Sequence, residues 1–137
     1  MYRIFALLSA VSAAAVAIFG KIGLSKVDTT MATAVRSIIM AVLLVLATVV
    51  LKKWNLSQID NRAFIFIFLA GLAGAISWFF YFLALKMGPA TAVAALDRLS
   101  VIFVIIFAAL FLGESLTLKS ALGGILILAG AVLLTIK

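Results

Sequence analysis

The chain of 137 residues has no cysteine and no histidine. Without thiols there is no disulfide framework and no thiolate chemistry. Without imidazole, His-ligated metal sites and imidazole acid–base catalysis are excluded. Carboxylates are scarce, at four against eleven Lys and Arg, and charged residues make up only 11% of the chain. An average soluble domain has about a quarter. What fills the space is apolar: 68% of residues, with a mean hydropathy of +1.43. A small soluble domain leaves a large share of its surface in water and could not hide that much apolar area. A soluble enzyme, a disordered tail and a secreted disulfide scaffold are therefore excluded, and an integral membrane protein remains.

A net charge of +7 invites comparison with nucleic-acid binders, but the basic residues stand singly between long apolar runs instead of forming a stripe. They sit where Lys and Arg anchor membrane segments at headgroup level. No nucleic-acid partner is expected.

A spanning helix needs about 20 apolar residues. Five such stretches predict an all-α bundle of five transmembrane helices: Ile4–Leu24, Thr29–Leu51, Ala63–Leu85, Pro89–Leu112 and Leu118–Ile136. Together they make one domain over residues 1–137, with almost nothing left for a soluble part. The punctuation agrees. Asp28-Thr29-Thr30 offers N-cap oxygens to the second helix. Lys52-Lys53-Trp54 ends it with cations and an interfacial aromatic. Gly88-Pro89 is a helix stop followed by a Pro at a first helical position. Gly113 follows the fourth span, and Ser115 or Thr117 can cap the fifth. Short loops make successive helices antiparallel neighbours. Met1-Tyr2-Arg3 and Ala15-Val16-Ala17 have some look of a signal peptide, but the apolar run exceeds a usual signal-peptide core, so a retained first helix is expected.

Orientation follows the Lys/Arg bias between the two faces of the membrane. On the N-terminal side, side A, lie Arg3, Lys52, Lys53, Arg62 and Lys119; on side B lie Lys21, Lys26, Lys86 and Lys137. The near balance predicts that the chain inserts both ways and pairs as an antiparallel homodimer. Two opposed copies would reproduce the inverted-repeat architecture of larger transporters, with a site near the midplane. Small residues suited to close helix packing mark the first, third and fifth spans: Ser9, Ala13, Ala17 and Gly20; Gly71, Gly74 and Ala75; Gly123, Gly124, Gly130 and Ala131.

The informative residues are the ionisable ones inside the spans, which by default mark function. At 1.5 Å per residue, Lys21 lies about 5 Å from side B, Arg36 about 10 Å, and Asp97 and Arg98 about 12–13 Å. Four charges on three helices thus share one leaflet's depth. Asp97 and Arg98 are about 100° apart on a helix and poorly placed to pair with each other. Arg36 and Asp97 are the natural pair by depth, serving either as a lock between two helices or in function. Arg98 and Lys21 then leave positive excess, which suits a small polar or anionic substrate. Lys21 also reads as a snorkelling anchor. Thr29, Thr33, Ser37 and Met40 share the Arg36 face, Ser100 lies one turn from Asp97, and Trp78 and Tyr81 lie on the Gly71/Gly74 face, where polar-tipped aromatics line cavities or interfaces. The candidate substrate-binding set is Arg36, Asp97, Arg98, Lys21, Trp78, Tyr81 and Ser100. No metal or cofactor is expected. Glu114 reads as a loop charge near Lys119.

The stretch Leu83-Ala84-Leu85-Lys86-Met87-Gly88-Pro89-Ala90 through Phe111-Leu112-Gly113-Glu114-Ser115-Leu116-Thr117 resembles the EamA domain of the drug/metabolite transporter superfamily. Arg36 and the Gly-rich fifth span resemble it as well. Most members carry two such units in tandem; a single unit resembles the five-helix bacterial/archaeal transporter group, in which Leu96-Asp97-Arg98-Leu99-Ser100 stands where ten-helix members more often show a Pro. The resemblance implies secondary transport of small metabolites or drugs by alternating access across a prokaryotic cytoplasmic membrane. It supports Arg36, Asp97, Arg98 and Glu114 as family-pattern positions. The related small multidrug resistance proteins keep a proton- and drug-binding Glu in their first helix; here that helix has no carboxylate, which argues against cation export by that route. Two other readings compete: a non-transporting subunit of a larger membrane complex, and a lipid-carrier flippase. A membrane-embedded enzyme is disfavoured, because acid–base work needs several positioned groups and one carboxylate lies well inside a span.

Overall fold

The computed structural model describes residues 1–136; Lys137, counted above as a side-B cation, lies outside them. Among the described residues there are helices and no strands: α1 Tyr2–Gly23, α2 Thr29–Val50, α3 Asn61–Met87, α4 Ala90–Asp97, α5 Ser100–Phe111 and α6 Leu118–Thr135, with one 3₁₀ turn at Leu56–Gln58. Five stretches are long and apolar enough to cross a membrane, α4 and α5 together making the fourth. The expected boundaries agree with the observed ones to within two residues at most ends, because long apolar runs leave a helix little choice in lipid: every backbone polar group must be satisfied inside its own segment.

The fourth span is where the structure departs from expectation. Instead of one helix over Pro89–Leu112, it is interrupted at Arg98 and Leu99. Pro89 stands at the N-cap, one position earlier than a first helical residue, with φ −66° and ψ 140°.

Helices α2 and α3 form a compact unit, residues 22–86. The Asp28 carboxylate caps α2, accepting from the backbone N–H of Thr30 at 2.8 Å and of Met31 at 3.2 Å. These bonds, that to Met31 foremost, hold Asp28 below its ordinary carboxylate pKa, and Lys86 adds to the effect. The Lys86 ammonium donates to the Val27 carbonyl at 2.9 Å, tying the end of α3 to the start of α2. Thr33 and Ser37 donate their hydroxyls to the carbonyls of Thr29 and Thr33 at 2.7 and 2.8 Å. Back-bonding of this kind satisfies a hydroxyl in apolar surroundings without a partner helix. Phe82 and Leu85 are buried, Leu85 completely. At the far end of α2, Lys52 takes φ 54° while its N–H reaches Val49 O at 3.0 Å and the Lys53 N–H reaches Thr48 O at 2.9 Å. This is a Schellman closure with Lys where Gly is usual, at a cost of about 1–2 kcal/mol.

The second compact unit comprises residues 1–21 and 87–137. Lys21, in the last turn of α1, donates to the Gly88 carbonyl at 2.8 Å. Helix α6 starts with a capping box: the Thr117 hydroxyl accepts from the Ser120 N–H, and the Ser120 hydroxyl accepts from the Thr117 N–H, both at 3.1 Å. The most extensive packing between helix backbones is of α4, and after it α5, against α6. A Cβ built at Gly124 would stand 3.6 Å from Ile105 Cδ1 and 3.8 Å from Ile102 Cγ1, ordinary van der Waals contact, so an alanine would also fit at this point between α5 and α6. Gly113, at φ +68°, ends α5 in the left-handed region that a side chain would strain.

Candidate functional site

Two clusters hold the candidate residues, one in each unit. In the α2–α3 unit, Arg36 is half-buried and lies on an aromatic bed. Its guanidinium carbon is 3.6 Å from the Trp78 ring centroid and 5.6 Å from that of Phe82. Trp78 meets Tyr81 edge-on, with centroids 5.3 Å apart and an interplanar angle of 79°; it meets Phe82 at 5.9 Å and 37°. Arg36, Trp78 and Tyr81 are thus brought together as expected of the candidate set, and Phe82 joins them from outside it: it follows Trp78 by four residues and so shares its helix face. A desolvated cation over a Trp face gains about 2 kcal/mol, which offsets much of the cost of about 2.5–3.5 kcal/mol for an Arg at the centre of a span.

Asp97, Arg98 and Ser100 bracket the interruption of the fourth span in the other unit. Asp97 is the last residue of α4, and Ser100 the first of α5. Backbone bonds through this stretch shorten to the 3₁₀ pattern. The Leu99 N–H donates to Leu96 O at 3.0 Å, Val101 to Arg98 O at 3.1 Å and Ile102 to Leu99 O at 2.9 Å. The Arg98 N–H is shared between Ala94 O and Ala95 O at 3.3 and 3.2 Å. A 3₁₀ stretch inside a longer helix marks a hinge or a sequence under strain. No Gly or Pro causes it; Asp and Ser are residues whose side chains compete for helical backbone groups. Asp97, Arg98 and Ser100 are all exposed on the single chain. Asp97 and Arg98 thus stand exposed beside the break in a membrane-crossing segment. Arg36 and Asp97, matched by depth in the sequence, belong to different units. Lys21 is half-buried and tied to the Gly88 carbonyl as described.

Among the described residues no group of three or more His, Cys, Asp or Glu is placed to hold a metal. A groove of about 530 Å³ between α5 and α6 is lined mainly by Ile102, Ile105, Leu118, Ile125 and Leu128, and its lining carries no ionisable group. What the two clusters offer chemically is recognition: a guanidinium over an aromatic ring in one, and a carboxylate and a second guanidinium at a helix break in the other.

The comparisons with known proteins match this picture. Residues 1–136 match the EamA-like transporter family. The chain is 41% identical over 136 residues to an uncharacterized transporter in the cobO 3′ region from Sinorhizobium sp, an alignment covering 98% of this chain and 96% of that relative. No solved structure matches the chain. Five apolar spans, intramembrane charges and a match over nearly the whole length lead to one conclusion: this chain is a multi-pass membrane protein and belongs to the EamA-like transporter family.

Proposed function

We propose that the chain is a secondary transporter, not an enzyme, which moves a small polar or anionic solute across a prokaryotic cytoplasmic membrane by alternating access, as an antiparallel dual-topology homodimer. In this reading residues 1–137 form one five-span unit, and the second unit needed for an inverted repeat is another copy of the chain. The observation that carries it is the interruption of the fourth span with Asp97 and Arg98 exposed beside it. Charged side chains at that depth cost several kcal/mol against lipid and normally face a bundle interior or a water-filled cavity. Protein or water has to line them; in this reading a second copy supplies that lining, and broken helices are where transporters place their sites. The near balance of flanking Lys and Arg supports insertion in both directions.

The test is solute counterflow. Purified protein in liposomes, screened against small organic anions, zwitterions and cations, is expected to exchange a labelled solute at least about tenfold faster than liposomes holding heat-treated protein. Folded protein that exchanges none of these classes would contradict the transporter reading and leave a non-transporting subunit in its place.

A further inference from the structure

The bed beneath Arg36 points to the chemistry of the solute. Helix α2 carries no other charged residue, and α3 carries only Arg62 and Lys86, at its two ends. The carboxylates of this unit are occupied at helix starts: Asp28 caps α2, and the Asp60 carboxylate accepts from the Ala63 N–H at 2.8 Å. The hydroxyls of Thr33 and Ser37 donate to their own helix. Within the α2–α3 unit, then, no anion stands at the depth of Arg36.

Nor does the side chain escape to the membrane surface. Val27 and Lys86 are tied at side B; Arg36 lies nine residues after the first and Trp78 eight before the second. At 1.5 Å per residue both are about 12–14 Å from that tie. The guanidinium rests against the ring at its own level, the deeper of the two it meets, instead of snorkelling outward. The ring contact engages the guanidinium through its π face, and the guanidinium's rigid fork of N–H donors matches a planar two-oxygen acceptor.

We propose that Arg36, held over the Trp78 ring, is the docking point for the carboxylate of a small organic monoanion. This rests on the transporter reading and names its substrate class. One cation with no anionic partner in its unit balances one negative charge; a dianion such as a phosphomonoester would carry an uncompensated second charge into a low-dielectric site, where that is costly. The half-buried rings of Trp78 and Tyr81 then meet the apolar body of the ligand.

Full-length protein in the Trp54→Phe background keeps Trp78 as its one tryptophan, so its fluorescence reports on the bed directly. Benzoate, benzamide and benzylammonium share a shape and differ in charge. Benzoate is expected to change Trp78 emission saturably and raise the melting temperature, with benzamide and benzylammonium weaker by about tenfold or more, the loss of one charge-assisted contact. Arg36→Gln should lower benzoate affinity by a similar factor, and Arg36→Lys, which keeps charge but not the fork, should fall between. The comparison of three ligands on the protein with Arg36 intact does not depend on the variants folding. Benzamide or benzylammonium binding as tightly as benzoate would overturn the assignment, as would a folded Arg36→Gln protein that binds benzoate unchanged. Counterflow of a neutral or cationic solute without benzoate binding would sink this inference and keep the transporter; benzoate binding without flux of any solute would do the reverse.

Discussion

Exchanging Asp97 for Asn is expected to leave the protein folded while solute counterflow falls about 10- to 100-fold, the loss of one charged contact in a desolvated site. The fold should tolerate the change because Asp97 is exposed on the single chain and Asn has nearly its size. Flux should not tolerate it, because a carboxylate at the hinge of the fourth span is the one acid well inside a span. Any role that depends on its charge, pairing with a cation in one conformation or meeting a proton, is lost in the amide. Thermal melting and counterflow on the same preparation separate the two effects. A folded Asp97→Asn protein with full flux would remove Asp97 from the mechanism.

Leu85→Ala should behave in the opposite way. Leu85 is completely buried on α3, and trimming its isobutyl side chain to a methyl leaves a cavity. In soluble proteins such a change costs about 2–5 kcal/mol, part of it the lost transfer from water. Here the unfolded reference is also in lipid, so the transfer part shrinks and the packing part remains, about 2 kcal/mol. A lower midpoint in detergent unfolding, with flux per folded molecule unchanged, is the expected result. A stable Leu85→Ala protein with reduced flux would mean that Leu85 belongs to the transport path and not to the packing that supports it.

The two substitutions separate what the sequence reveals from what it hides. Spans such as Thr29–Val50 are legible because about 20 residues of unbroken apolar character have one stable state in a bilayer, and Asp28 and Thr117 are legible because caps need short polar side chains at helix starts. The interruption at Arg98 and Leu99 is hidden: hydropathy runs through it, and no Gly or Pro announces it. Its trace is Asp97 and Ser100, residues that weaken a helix without fixing where it yields. Depth counting brought Arg36 to notice but sought an opposite charge for it, whereas a π face also stabilises a cation, so Phe82 went unassigned. The ties from Lys21 to Gly88 O and from Lys86 to Val27 O are hidden for a simpler reason: any loop residue has a carbonyl, so an acceptor of that kind leaves no mark on residue type.

The inverted pair is the claim on which the transport reading turns, and the cysteine-free chain makes it directly measurable, since any introduced thiol is unique. Ser115 lies exposed in the connection between α5 and α6, on side A. In intact cells producing the Ser115→Cys protein, a membrane-impermeant maleimide is expected to label about half of the molecules, and the rest only after permeabilisation, as the balanced Lys/Arg distribution requires. Labelling of all molecules, or of none, before permeabilisation would fix a single orientation and contradict the antiparallel dimer.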